Sequence, residues 1–233
     1  MNYFLFGVLP YVALTVLVVG SIARYERDPF TWKSSSSQLL RRKQLVWGSI
    51  LFHVGVLIVF FGHLVGMLTP VEIFHVLGMS YGFKQVLAIV VGGVAGAMAL
   101  VGGAMLLHRR LFDERVRANS SFSDTGILVL LVAQLVLGMG TILASIQHLD
   151  GSEMVKFMMW AQGIFTLKAG AWELVADVHW VYKLHILLGL TIFILFPFTR
   201  LVHMFSVPVR YVFRSGFQIV RTRKHKTVLG QKP

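Results

Sequence analysis

Four histidines lie within two long apolar runs, which is an unusual place for an ionisable side chain. His53 and His63 share one run, and His185 and His203 share another. Such residues are costly inside a membrane and mark a functional site by default. In α-helices the two spacings correspond to about 15 Å and about 27 Å of rise. If the two helices run in opposite directions and face each other, His63 meets His185 and His53 meets His203.

Each of these pairs can hold one haem iron through two imidazoles. Both axial positions are then filled, so such a haem passes electrons and does not bind oxygen. The chain has no cysteine, which excludes thiolate-bound iron–sulfur clusters and a thiolate haem ligand. Zinc favours four clustered ligands, whereas these histidines form two distant pairs. The spacing therefore predicts two haem b groups, and the alternative for any one histidine is a hydrogen bond between helices.

Five apolar runs must position these histidines. Of the 233 residues, 56% are hydrophobic and only 14% are charged, against about 25% charged in soluble domains. Each run meets the requirement of roughly 20 residues for a spanning helix, and the runs cover about 2–23, 44–69, 85–107, 125–146 and 180–204. We expect an all-α integral membrane protein, a single domain built as a five-transmembrane-helix bundle. The loop at 147–179 has room for a short surface helix.

The basic residues predict how the bundle lies in the bilayer. Most of the 22 Lys and Arg lie between runs one and two, between runs three and four, and after run five, where 205–233 forms a basic tail. The positive-inside rule then places the N-terminus outside and the C-terminus in the cytoplasm. The net charge of +12 is explained without nucleic acid. With this topology His63 and His185 form an outer pair, and His53 and His203 form an inner pair.

Two further groups of residues have alternative interpretations. Five arginines lie near the level of the inner pair, where they could bind haem propionates or simply orient the chain against lipid headgroups. The third run contains the small-residue pair Gly92 and Gly96, which favours close helix packing, although a cofactor against bare backbone is also possible. The arginines are Arg24, Arg41, Arg109, Arg110 and Arg200.

Several motifs resemble one family over nearly the whole chain. They are Leu51-Phe-His-Val-Gly with Phe61-Gly-His-Leu-Val-Gly-Met-Leu-Thr-Pro, Gln147-His-Leu-Asp-Gly-Ser-Glu-Met with Trp160-Ala-Gln, and Lys183-Leu-His-Ile-Leu-Leu-Gly leading to Phe196-Pro-Phe-Thr-Arg-Leu-Val-His. Together they resemble the gamma subunit of respiratory nitrate reductase.

The resemblance implies a function and partners that the spacing alone does not give. In that family the gamma subunit lies in the inner (cytoplasmic) cell membrane and oxidises quinol from the membrane pool near the outer haem. Electrons pass inward to the inner haem and then to an iron–sulfur subunit and a molybdenum-containing catalytic subunit on the cytoplasmic face. Protons are released outside. The outer haem ligands of the family correspond to His63 and His185, and the inner ligands correspond to His53 and His203.

The resemblance also implies a quinol site. A lysine at the outer start of the third span is implicated in quinol binding, and its counterpart is Lys84 in Phe83-Lys-Gln. A cation there can hold a quinol oxygen and stabilise the anion that forms as a proton leaves. Gly62, beside His63, would leave room for the ring. The alternative for Lys84 is an ordinary interfacial anchor, and 75–82 matches the family poorly.

Three other functions fit parts of the pattern. A cytochrome b subunit of a hydrogenase, a formate dehydrogenase or a heterodisulfide-reductase-like complex shares the haem arrangement. The second alternative is a membrane anchor without haem, which an absorbance spectrum would identify because it would show no cytochrome bands. A transporter fits poorly, because the sequence has no inverted repeat and few acidic residues within the spans.

Overall fold

The computed structural model describes residues 1–32 and 40–206, and these are helical with no strand among them. Five helices in this part are long and apolar enough to cross a membrane: Phe4–Arg27, Arg42–Leu68, Tyr81–Phe112, Phe122–Ser145 and Trp180–Phe198. The expectation of an all-α, five-span membrane protein is confirmed. The orientation of the termini stays a prediction, and the predicted basic tail lies outside the described residues except for 205 and 206.

Eight α-helices make up the described chain. They are α1 (Leu9–Arg27, preceded by a π-helical turn at Phe4–Val8), α2 (Arg42–Leu68), α3 (Val71–Val76), α4 (Tyr81–Phe112), α5 (Glu114–Ala118), α6 (Phe122–Ser145), α7 (Ser152–Phe165) and α8 (Trp180–Leu195). The hydroxyls of Ser80 and Ser121 accept backbone N–H groups at the starts of α4 and α6, as N-caps do. The surface helix expected in the loop at 147–179 is α7.

The fifth span departs from a continuous α-helix. The α-helix ends at Leu195, and two 3-10 segments follow at Phe196–Phe198 and Arg200–Ser206. The cause is Pro197, which has no N–H for an i−4 bond and whose ring crowds the preceding turn. The α-helical rise of about 27 Å predicted between His185 and His203 is therefore wrong, because His203 lies on a 3-10 segment.

The long helices pack in the order α2, α4, α6, α8 and α1, and within the described part of the chain α2 and α8 are not among the helix pairs in extensive contact. The closest approach is between α2 and α4. A Cβ on Gly55 would lie 2.5 Å from the carbonyl oxygen of Ala95, and Gly102 faces the backbone of Phe52. Of the pair predicted to favour close packing, Gly96 is confirmed, since a Cβ there would lie 2.8 Å from the sulfur of Met139. The prediction is wrong for Gly92, where a Cβ would meet no atom within 4 Å.

Buried side chains form two clusters at opposite ends of the bundle. One joins the N-terminal turn, α7 and the start of α8, and includes Phe6, Trp160, Val175 and Tyr182. The other lies where α6 meets the 3-10 segments, and includes Ile127, Ile192, Phe196, Leu201 and Val202. Many large apolar side chains along α2 and α4 are exposed instead, as expected for surfaces that face lipid.

Candidate functional site

The structure brings the four histidines together as two facing pairs. The ring centres of His63 and His185 are 6.2 Å apart, and those of His53 and His203 are 6.4 Å apart. The unbroken helix α2 carries one member of each pair, so the pairs are separated by about 15 Å of helical rise. Opposite α2, α8 supplies His185 and the second 3-10 segment supplies His203. The predicted pairing therefore corresponds to the spatial arrangement.

Three of the four rings are fixed by a carbonyl oxygen of the turn that carries them. The Nδ1 atoms of His53 and His63 lie 2.8 Å from the carbonyl oxygens four residues earlier. The Nδ1 of His203 lies 2.5 Å from a carbonyl oxygen three residues earlier. With the proton on Nδ1, donated to that carbonyl, the Nε2 atom keeps a free lone pair. A metal-binding histidine usually donates its other ring N–H to an acceptor in this way.

The distances within each pair fit a haem iron between two imidazoles. Two metal–nitrogen bonds of about 2.0 Å, with each ring centre about 1.1 Å behind its nitrogen, place the centres about 6 Å apart. Among the described contacts no hydrogen bond joins the two rings of either pair. In each pair one ring comes from α2 and the other from the fifth span, and these two segments are not among the described pairs in extensive contact. The described residues also contain no cluster of three or more His, Cys, Asp or Glu side chains suited to a metal ion.

Lys84 lies near the end of α2 that carries His63, and its ammonium group is buried. Its relative exposure is 8%, so it does not extend to the surface as an interfacial anchor would. The Nζ atom donates to the carbonyl oxygen of Gly66 at 2.9 Å and contacts the sulfur of Met158 at 2.9 Å. It also lies 3.5 Å from the ring centre of Phe74. None of the described carboxylates forms an ion pair with it.

Two glycines leave open space beside the outer pair. A Cβ atom on Gly62 or on Gly66 would meet no atom within 4 Å. Gly66 is also the residue whose carbonyl oxygen holds Lys84. The described geometry thus brings an exposed imidazole, a buried ammonium group and an unfilled glycine surface to one end of α2.

The comparisons with known proteins agree with these features. A family model described as "Nitrate reductase gamma subunit" matches residues 2–223. The respiratory nitrate reductase 2 gamma chain of Escherichia coli K12 is 47% identical over 224 residues, covering 96% of this chain and 98% of the relative. The nitrate reductase gamma chain of Bacillus subtilis 168 is 40% identical over 211 residues, covering 91% and 94%. The chain belongs to the nitrate reductase gamma-subunit family.

This membership confirms the resemblance found in the motifs. The second respiratory gamma chain of Escherichia coli K12 is 46% identical over 223 residues, again covering 96% of this chain and 98% of the relative. Together with the five spans, this makes the protein a multi-pass membrane subunit of a respiratory nitrate reductase, which is an oxidoreductase complex.

The arginines of this gamma chain mostly tie helix ends together. Arg41 pairs with Asp113 at 2.6 Å, and Arg200 lies 3.9 Å from Asp124. The backbone N–H of Val116 and the Arg41 guanidinium hold the pKa of Asp113 below its usual range. These contacts bring arginines that are distant in the sequence to the end of the bundle that carries His203.

Arg24 has a role that sequence reasoning missed. Its guanidinium donates to the carbonyl oxygens of Pro197 and Thr199, both at 2.8 Å, and to that of Thr31 at 2.7 Å. It therefore holds the backbone just before the 3-10 segment of His203. The sequence shows an arginine at a span boundary, but it does not show that Pro197 frees carbonyl groups for that arginine.

Helix α7 covers the end of the bundle that carries His63, which sequence reasoning also missed. Gln162 donates to the carbonyl oxygens of Met67 and Thr69, both at 3.0 Å, and so closes the end of α2. Met158, one turn earlier on α7, contacts Lys84. The motif at 147–162 marks this segment, but its contacts come from residues about a hundred positions away in the chain.

Proposed function

We propose that this chain is the quinol-oxidising, di-haem cytochrome b subunit of its respiratory nitrate reductase. It takes electrons from quinol at the outer pair and delivers them at the inner pair to the iron–sulfur and molybdenum-containing partner subunits. The observation that carries this proposal is the two pairs of facing imidazoles, one between α2 and α8 and one between α2 and the second 3-10 segment. The first of these pairs lies at the end that holds the buried Lys84.

The residues that would hold the haems are His63 with His185 and His53 with His203. When bound, a bis-histidine haem supplies one-electron transfer without an open coordination position. The chain contributes fixed rings, since three Nδ1 atoms are already anchored, and it presents them from segments that are not among the described pairs in extensive contact. The approximately 15 Å between the sites follows from the helical rise of α2.

Lys84 would bind the quinol, with His63 and Gly62 at the edge of the same pocket. A quinol oxygen can replace one of the present contacts of Nζ, namely the Gly66 carbonyl or the Met158 sulfur. A buried cation stabilises a developing oxyanion more than an exposed one would, because few water dipoles screen it. The proton lost from the quinol then leaves on the outer side, over which α7 lies.

The partner subunits would bind at the end opposite Lys84, in the cytoplasm, with the chain in the inner cell membrane. Basic loops favour that side of the membrane, and the arginines of the inner end lie there together. The relatives are named as gamma chains of respiratory nitrate reductases, so partner chains that carry the nitrate chemistry are expected.

The test uses the intact complex and two electron donors. We expect His63→Ala to abolish nitrate reduction driven by a quinol analogue, because the outer iron loses a ligand. Reduction driven by a low-potential dye that reduces the partner subunits directly should persist. The control is His148→Ala, whose side chain is exposed in the loop before α7, and it should keep both activities. Full quinol-driven activity in His63→Ala would contradict the proposal.

A further inference from the structure

His185 is held differently from the other three histidines. Its Nδ1 atom is buried and has no hydrogen-bond partner, whereas each of the others has a carbonyl oxygen of its own turn. The polar side chain of Gln134, on α6, lies beside it. The Gln134 Nε2 donates to the main-chain oxygen of His185 at 3.0 Å and lies 3.5 Å from the ring Nε2.

Two glycines allow α6 and α8 to make this contact. A Cβ on Gly138, one turn after Gln134 on α6, would lie 3.2 Å from Cε1 of the His185 ring. A Cβ on Gly189, one turn after His185 on α8, would lie 3.2 Å from Nε2 of Gln134. Each helix thus presents a polar side chain and, four residues later, a glycine that accommodates the polar side chain of the other helix.

Two buried side-chain atoms that lack a hydrogen-bond partner belong to these same two side chains. Besides Nδ1 of His185, the side-chain oxygen of Gln134 is buried and has no donor. A histidine that binds metal through one nitrogen carries its proton on the other and donates it to a nearby acceptor. An unpaired buried acceptor is unfavourable, and the amide torsion of glutamine is broad enough for the group to turn toward the ring.

We propose that Gln134 is the positioning residue of the outer site. Its side-chain oxygen accepts the N–H of whichever His185 ring nitrogen does not bind iron, and it fixes the ring from a helix that carries no haem ligand. This inference rests on the proposed function, because it concerns a ligand of the outer haem. It makes the orientation of that ligand depend on the packing of α6 against α8.

The strength of this acceptor should set the redox potential of the outer haem alone. An acceptor on the ring N–H makes the imidazole a stronger electron donor, which favours the oxidised iron. Gln134→Leu removes the acceptor, so the outer midpoint potential should become more positive. Gln134→Glu supplies a stronger, charged acceptor, so the potential should become more negative.

The experiment is a spectroelectrochemical titration of the intact complex with each variant. In Gln134→Leu we expect the oxidised-to-reduced ratio of the outer haem at a fixed potential to fall roughly tenfold, which is about 59 mV for one electron. In Gln134→Glu the ratio should rise. The inner haem serves as an internal control and should not change. Gln44→Leu is a matched control, because the Gln44 amide donates to the Met105 carbonyl oxygen and contacts no ligand histidine.

The two proposals fail in different ways. An outer potential that stays unchanged in both Gln134 variants, beside two retained haems, overturns the positioning role only. If Gln134→Leu loses the outer haem, the outer potential measured in Gln134→Glu decides the question. A more negative potential in that variant supports the positioning role, and an unchanged potential overturns it. A wild-type complex without an outer haem overturns the proposed function and this inference together.

Discussion

The outer and inner histidine pairs have nearly the same ring separation but very different surroundings. The outer pair joins two regular α-helices, lies at the end that holds a buried lysine, and has open space beside Gly62. The inner pair joins α2 to a 3-10 segment whose preceding carbonyl groups are held by Arg24. The same pairing of two imidazoles is therefore built in two ways. The outer pair has open space beside it, whereas the inner pair is tied into the basic end of the bundle.

The largest expected effect separates the two pairs directly. Replacing either histidine of one pair with alanine should remove one haem and leave the other, because each iron depends only on its own two ligands. His185→Ala should therefore lose the same haem as His63→Ala, and His203→Ala should lose the other. Redox titration with electron paramagnetic resonance distinguishes the two haems. Loss of different haems in His63→Ala and His185→Ala would break the pairing.

The next effect concerns the open side of the outer site. Lys84→Ala should lower quinol-driven turnover by about tenfold or more, since a positioned cation is lost from the reacting oxygen. Both haems should remain, because Lys84 contacts neither ligand histidine of the outer pair.

The matched control for Lys84 is Lys156→Ala. Lys156 lies on α7, and its side chain is partly exposed and paired with Glu153. Its loss should leave quinol turnover unchanged. Equal turnover in Lys84→Ala and Lys156→Ala, measured with a quinol analogue at several concentrations, would remove Lys84 from the site.

The smallest effect concerns the support of the inner site. Arg24→Leu leaves the carbonyl oxygens of Pro197 and Thr199 without a donor, at about 1–3 kcal/mol for each unpaired group. The segment that carries His203 should loosen, so we expect partial loss of the inner haem and a full complement of the outer one. Haem content per chain and the spectrum of the remaining haem measure this. Arg27→Leu, three residues later at an exposed position, should leave both haems intact, and an equal loss in the two variants would exclude a specific role for Arg24.

The sequence predicts the helices and the histidine pairs because both depend on local, periodic features. Long apolar runs specify five spans. Because the second and fifth spans run in opposite directions, His63 and His185 lie at matching depths in the bundle. Pro197 is itself a sign of a break, since proline disrupts a helix interior. The prediction nevertheless treated the continuous apolar run as one unbroken helix. The assumption of an unbroken helix gave the correct partner for His203 and the wrong backbone beneath it.

The surroundings of the site could not be predicted from the sequence, because they join residues that are distant in the chain. The burial of Lys84 depends on Met158 and on Phe74. The contact of Gln134 with His185 depends on a glycine on each of two helices. A polar residue within the apolar run at 125–146 is itself a sign of a functional position, and Gln134 is such a residue. Its partner, however, follows only from how α6 packs on α8.

The central claim is that one chain holds two haems, each between one histidine of α2 and one from the fifth span. The most direct test is a haem count per chain on the purified wild-type complex, by pyridine haemochrome assay with reduced-minus-oxidised spectra. The prediction is two b haems for each gamma chain. A count of one would mean that one histidine pair is structural, and a count of zero in protein made with adequate haem would contradict the proposed function altogether.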